Sequence, residues 1–170
     1  MSFYGDASTI LARVALDLAS LSSQPPQIQQ LHAGSGVTIS ADATTFTDAC
    51  CKGLLFVAFD QIELREGTEQ KGGPLYTSVA GTVGVLRCAP TIDDAGRSPT
   101  PAQHSATAML VYEDAEIMLG ALRRLAVDAG LSEGDLRDVL WSPIEPEGGC
   151  GGGVVTFTIA SDQPCPEPPS

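Results

Sequence analysis

The chain has 170 residues and a mass of 17.6 kDa, a length that suits one ordinary domain and is short for two. Its 9 Lys and Arg against 21 Asp and Glu leave a formal charge of −12. That balance excludes a protein whose main task is gripping nucleic acid through its phosphates, because there is no cationic excess to release counterions. Hydrophobic residues at 43% supply a core, while 18 Gly and 12 Pro place much of the chain in turns and loops.

The N-terminal residues Met1 to Asp6 carry neither a basic segment nor a long apolar one, so the sequence predicts no secretory signal. The densest apolar run, Leu54 to Phe59, is far shorter than the roughly 18 residues of a membrane span. A soluble protein made in the cytoplasm is expected. Residues 6–21 read as a helix: Leu11, Val14, Leu18 and Leu21 recur at three- and four-residue steps. Asp6 serves as its N-cap, and Ser22-Ser23-Gln24-Pro25-Pro26 as its stop. From Gln27 to Asp48 the patterning is weak and the segment reads as loop, with Val37-Thr38-Ile39 able to form a short strand.

Leu54 to Arg65 carries the strongest strand signal, apolar on both faces in its first half and alternating in its second. Glu66 to Pro74, with Gly67, Gly72, Gly73 and Pro74, reads as a hairpin loop. Tyr76 to Cys88 is the return strand, in which Gly81 and Gly84 imply a bulge, a bend or close backbone approach. The proline-rich stretch Ala89 to Gln103 is a surface loop. Ser105 to Ala129 gives the longest helical pattern, with Val111, Ala115, Met118, Leu122 and Leu125 on its apolar face. Glu113, Asp114, Glu116, Arg123 and Arg124 fall on its polar one, and Gly130 is its C-cap. A short turn or helix over 132–140, a Gly/Pro-rich connection over 141–153 and a last strand, Val154 to Ile159, complete the ordered region. The expected fold is α+β: an antiparallel or mixed sheet with a long projecting hairpin packed on two helices, in the order α-β-β-α-β. It spans residues 1–162 as one domain, and a Pro-rich tail, 163–170, is expected to be disordered.

Five cysteines are present, Cys50, Cys51, Cys88, Cys150 and Cys165, without any CxxC spacing. Reduced thiols acting as small apolar residues are the first reading. A disulfide framework and a metal site built from Cys51, Cys88 and Cys150 are the others. Enzyme motifs are missing. His32 and His104 stand in polar, loop-like context, and no GxSxG or HExxH occurs. The run Gly148 to Gly153 lacks the Lys-Ser/Thr that a phosphate-binding loop requires, and reads as a flexible loop or bulge before the last strand. Cys150 within it has no base close in sequence to activate it. The many carboxylates lie in loops or on a polar helix face, where solvent keeps their pKa values together rather than apart. No catalytic residue, cofactor or metal is assigned, and the chain reads as a non-enzyme.

The order of elements resembles a known family, the tail terminator and related head–tail completion proteins of long-tailed bacteriophages. The features that carry the resemblance are the helix from Ala7 to Leu21, the hairpin of Leu54-Leu55-Phe56-Val57-Ala58-Phe59 with Thr82 to Pro90, the helix from Ser105 to Ala129, and the final strand introduced by Trp141-Ser142-Pro143. Two strings, Gly84-Val85-Leu86-Arg87-Cys88-Ala89-Pro90 and Gly148-Gly149-Cys150-Gly151-Gly152, are similar to those in neck proteins of actinobacterial phages. The stretch from Gln27 to Asp48 is an addition that smaller members lack. The resemblance implies a structural virion protein that forms a ring, usually hexameric, at the head-proximal end of the tail. Its implied partners are copies of itself, the tail tube protein and the head connector or stopper, with genomic DNA only in transit through the lumen and no membrane. A head-completion stopper or connector adaptor is the alternative within the virion, and a small Cys-based metal- or ligand-binding domain the alternative outside it. On the ring reading, Ile62 and Leu64 opposite Val79 and Val83 are the candidate subunit contact, competing with burial under the chain's own second helix. Glu66, Glu69, Asp93 and Asp94 are candidate lumen or rim acids that would repel DNA phosphate.

Overall fold

In the computed structural model, which describes residues 3–33, 50–66, 75–92, 95–128, 135–147 and 149–161, the apolar periodicities of the sequence become two long helices on one face of a five-stranded sheet. The elements are α1 (Phe3–Leu21), β1 (Ile28–Ala33), β2 (Leu54–Glu66), β3 (Leu75–Cys88), α2 (Pro101–Asp128), β4 (Leu136–Glu147) and β5 (Cys150–Ser161). The sheet order is β1-β2-β3-β5-β4; β1 runs parallel to β2 and every other pair is antiparallel. The fold is therefore α+β with a mixed sheet, as the sequence predicts.

The side-chain alternation of the strands divides the sheet cleanly. Leu55 and Val57 of β2, Val83 and Val85 of β3, and Val155 and Phe157 of β5 point to the helices and pack with Ile10, Val14 and Leu18 of α1 and Ile117, Met118, Ala121 and Leu122 of α2. The opposite face carries a smaller cluster of Cys50, Leu54, Phe56, Leu86 and Cys150. Two glycines permit close packing. The Phe56 ring lies over Gly84, where a Cβ would come within 2.4 Å of it, and a Cβ on Gly152 would stand 2.0 Å from the Val85 carbonyl oxygen.

The structure differs from the sequence reading at five places. α1 begins at Phe3, so Asp6 lies within the helix rather than at its N-cap. The stretch beginning at Gln27 is not all loop: Ile28–Ala33 pairs in register with Leu54–Phe59, and Val37-Thr38-Ile39 lies outside the described residues. Where a turn or helix and then a connection are expected, β4 runs from Leu136 to Glu147. Pro143 and Pro146 are compatible with it because β4 is the terminal strand, and a missing N–H on the outer side of such a strand costs no ladder bond. Its two bulges, between Arg137 and Leu140 and between Ile144 and Glu147, break the two-residue period, and Asp138 takes a φ of 53°. The run Gly151-Gly152-Gly153 is not a loop before the last strand but the first part of β5. α2 also begins four residues earlier than expected. Thr100 and Gln103 form a reciprocal cap, with the Thr100 N–H donating to Gln103 Oε1 at 2.8 Å and the Gln103 N–H to Thr100 Oγ1 at 3.3 Å, and Pro101 occupies the first helical position. Gly130 and residues 132–134, expected to cap and follow this helix, fall outside the described residues.

Candidate functional site

Two arrangements stand out, a cysteine corner at one end of the sheet and the open outer edge of β2. At the corner, a turn closed by the Gly53 N–H donating to the Cys50 carbonyl leads into β2. Gly53 has a φ of 76°, a left-handed conformation that glycine adopts without strain. Cys50 is bonded to Cys150 at the start of β5, and Cys51 to Cys88 at the end of β3; Cys88 and Cys150 face each other across the β3–β5 ladder. The first pair is buried and the second exposed. The reduced-thiol reading is thereby corrected: three segments far apart in sequence are tied at one point. The proposed metal set Cys51, Cys88 and Cys150 is indeed brought to one corner, but its sulfurs are spent in two disulfides. Among the described residues no group of three or more His, Cys, Asp or Glu is arranged to hold a metal ion. Cys165 lies outside the described residues.

Beside this corner sits a buried ion pair that the sequence reading missed. Arg87 Nε and Nη2 donate to Asp114 Oδ2 and Oδ1 at 2.8 and 2.7 Å, with Arg87 5% and Asp114 2% exposed. The sequence puts Asp114 on the polar face of its helix, yet it lies four residues before Met118 and eight before Leu122, in phase with the buried stripe. Burial pushes its carboxyl above the ordinary value, more than the hydrogen bonds and charge of Arg87 lower it; Glu113 adds to the rise and Ser22 opposes it. Arg87 also borders an open recess of about 450 Å³ with Lys52, Cys51 and the Gln24-Pro25-Pro26-Gln27 segment. Two of the guanidinium nitrogens there already serve Asp114, so the recess is not a free anion receptor. A second recess, about 310 Å³ and largely apolar, lies on the helix-free face between Phe56, Thr82, Ile144 and Thr156. At its rim the Thr82 hydroxyl donates to Asp60 Oδ2 at 2.7 Å, an exposed pair open to solvent.

The proposed contact residues separate. Val83 is fully buried in the main core and Val79 is 6% exposed, so both are already covered within the single chain. Ile62 pairs with Val79 yet is 54% exposed. The reason is geometric. A bulge between Phe59 and Gln61 turns Ile62 onto the helix side, and β1 ends opposite Phe59, leaving the outer part of β2 beyond its reach. Leu64 pairs with Thr77, but its side chain is outside the described set, as is that of Glu66. Glu69, Asp93 and Asp94 lie outside the described residues altogether. His104 is exposed.

Ion pairs join the helices. Arg124 Nη2 and Arg13 Nε reach Asp17 Oδ2 at 2.8 and 3.4 Å, and Arg13 Nη1 reaches Asp128 at 2.9 Å. At the other end of α1 the Ser23 N–H and hydroxyl donate to Glu113 at 3.1 and 2.6 Å. These contacts run antiparallel along α1 and α2 and fix which side of each helix faces the other. No helix among the described residues is long and apolar enough to cross a membrane. No protein-family model matches the chain, and no curated protein is significantly similar to it.

Proposed function

We propose that the chain is a ring-forming structural protein of the head–tail junction of a long-tailed bacteriophage, terminating the tail tube and meeting the head connector. The observation that carries the reading is the arrangement of the β2–β3 hairpin. β5 lies beside β3 from Cys88 to Thr77, whereas β1 pairs with β2 only from Leu54 to Phe59, so among the described residues the outer half of β2 is an open edge that carries the exposed Ile62. Such an edge suits a subunit that meets identical neighbours through different faces, the requirement for a closed ring. The net charge of −12 suits a lumen along which DNA slides without adhering. Disulfides are compatible with a virion protein, which meets an oxidising medium once particles leave the host.

Negative-stain microscopy of the purified chain, alone and mixed with tail tubes, tests the proposal. Ring-shaped particles with an open centre are expected, seated at one end of the tubes when these are present. Uniform small particles that ignore the tubes in both preparations contradict it.

A further inference from the structure

The two disulfides of the cysteine corner differ in access. Cys50 is 0% and Cys150 4% exposed, and both pack with Leu54, Phe56 and Leu86, whereas Cys51 and Cys88 are exposed. Exchange requires a thiolate to reach a sulfur of the bond, so access alone separates the two pairs. Cys51, and not Cys88, lines the open recess formed with Lys52, Arg87 and the Gln24–Gln27 segment. A small thiol therefore has an approach to the Cys51 sulfur. The two bonds also hold one turn between them. Cys50 and Cys51 are neighbours in sequence, and their partners Cys150 and Cys88 stand opposite each other in the β3–β5 ladder. With Cys51–Cys88 open, Cys50–Cys150 still ties this turn to β5. Its backbone stays fixed as well, by the Gly53 N–H on the Cys50 carbonyl and by the Gln27 and Ile28 N–H groups on the Gly53 carbonyl. Opening the exposed bond releases one tether and not the segment that bears it.

We propose that Cys51–Cys88 is a reversible thiol–disulfide exchange site of the folded chain, open to low-molecular-weight monothiols through the recess, while Cys50–Cys150 is a permanent structural bond. The thiolate of the incoming monothiol attacks Cys51 Sγ. A new S–S bond forms there as the Cys51–Cys88 bond breaks, and its electron pair leaves on Cys88 Sγ, which takes up a proton from solvent. A second monothiol attacks the outer sulfur of the mixed disulfide, giving the oxidised thiol dimer and freeing Cys51 as a thiol. Two monothiols are oxidised and one protein disulfide is reduced; the reverse sequence, driven by the oxidised dimer, closes the bond again. The folded chain thus has two covalent states that differ at one exposed tether. This site stands independently of the ring reading.

Glutathione tests it on the native chain. The protein is first equilibrated with oxidised glutathione and freed of it. It is then exposed to reduced glutathione without denaturant, quenched with iodoacetamide at intervals and mapped by peptide mass spectrometry, with circular dichroism following the fold. The early species is expected to carry glutathione on Cys51 and the alkyl group on Cys88. Alkylation of both follows, with Cys50–Cys150 intact, the spectrum unchanged and the exposed bond opening at least about tenfold faster than the buried one. Both bonds opening at one rate, the buried bond opening first, or neither opening until the spectrum collapses overturns the proposal. Failure of Cys51 and Cys88 to pair under oxidised glutathione overturns it as well, and an early adduct on Cys88 overturns the route through the recess. The Cys51→Ser/Cys88→Ser variant is expected to keep the native spectrum; a variant that does not fold shows that the exposed bond is itself structural and overturns the division between the two.

Discussion

The Arg87–Asp114 pair shows how one buried charge disciplines its surroundings. A buried ion pair contributes little compared with apolar residues of the same shape, whereas removing one partner strands the other. Arg87→Met is therefore expected to cost about 3–5 kcal/mol at neutral pH, and adding Asp114→Leu to recover most of that loss, both read from urea unfolding. The sign of the pH dependence follows from the raised carboxyl. Asp114 already titrates above its ordinary 3.8 with Arg87 in place, so its contribution to stability is fully present below pH 3.8 and is lost as the pH rises through the raised native value. Without Arg87 the rise is larger, so the gap between wild type and Arg87→Met should be small near pH 4 and widen toward neutrality. A gap independent of pH contradicts this assignment. A Gly152→Ala change tests the other tight point. With a Cβ placed 2.0 Å from the Val85 carbonyl, β3 and β5 must shift, and a loss of about 1–3 kcal/mol is expected in the same assay. The core of β2 and β3 is legible in the sequence because Leu54 to Phe59 is apolar on both faces and Val79, Val83 and Val85 keep one phase. Asp114 is not, because a carboxylate on a helix is ordinarily read as solvated until a partner is known, and Arg87 lies 27 residues away on another element.

At the scale of elements, helix and hairpin periods were readable and edge structure was not. α1, the β2–β3 hairpin, the buried part of α2 and the end of β5 follow from their apolar spacing. β4 escaped because Leu136 and Leu140, four apart, mimic a helical turn, while two bulges and two prolines hide the strand period. β1 escaped because Ile28-Gln29-Gln30-Leu31 is too short and too polar to stand out. The start of α2 is encoded locally, since Thr100-Pro101-Ala102-Gln103 carries both a capping box and a proline at the first helical position. This cap gives a local prediction. Thr100→Ala should abolish hydrogen-exchange protection over the first turns of α2 and leave the Asp114–Leu122 segment unchanged, because only the latter is anchored in the core. Equal loss of protection along the whole helix contradicts the division of α2 into a free and a packed part.

At the scale of the molecule, the cysteine corner and the open edge of β2 carry the account. Closing loops of 100 and 37 residues restricts the unfolded chain by about 4–5 kcal/mol for each bond taken alone. With Cys50, Cys51, Cys88 and Cys150 bonded, alkylation of the unfolded chain before reduction should leave those four unmodified, and after reduction should modify all of them. Modification of those four without reductant contradicts the disulfides and returns the corner to the thiol reading. Spacing alone does not pair these cysteines, because the β2–β3 register brings the turn at Cys50 and Cys51 beside Cys88 and the β3–β5 register adds Cys150 to them. The central claim is that identical copies assemble into a closed ring. Native mass spectrometry of the purified wild-type chain tests it most directly: one dominant species at a fixed multiple of the 17.6 kDa subunit mass, near six copies if the proposed family likeness holds, is the predicted result. A monomer at all concentrations, or an open ladder of masses without a preferred size, contradicts it.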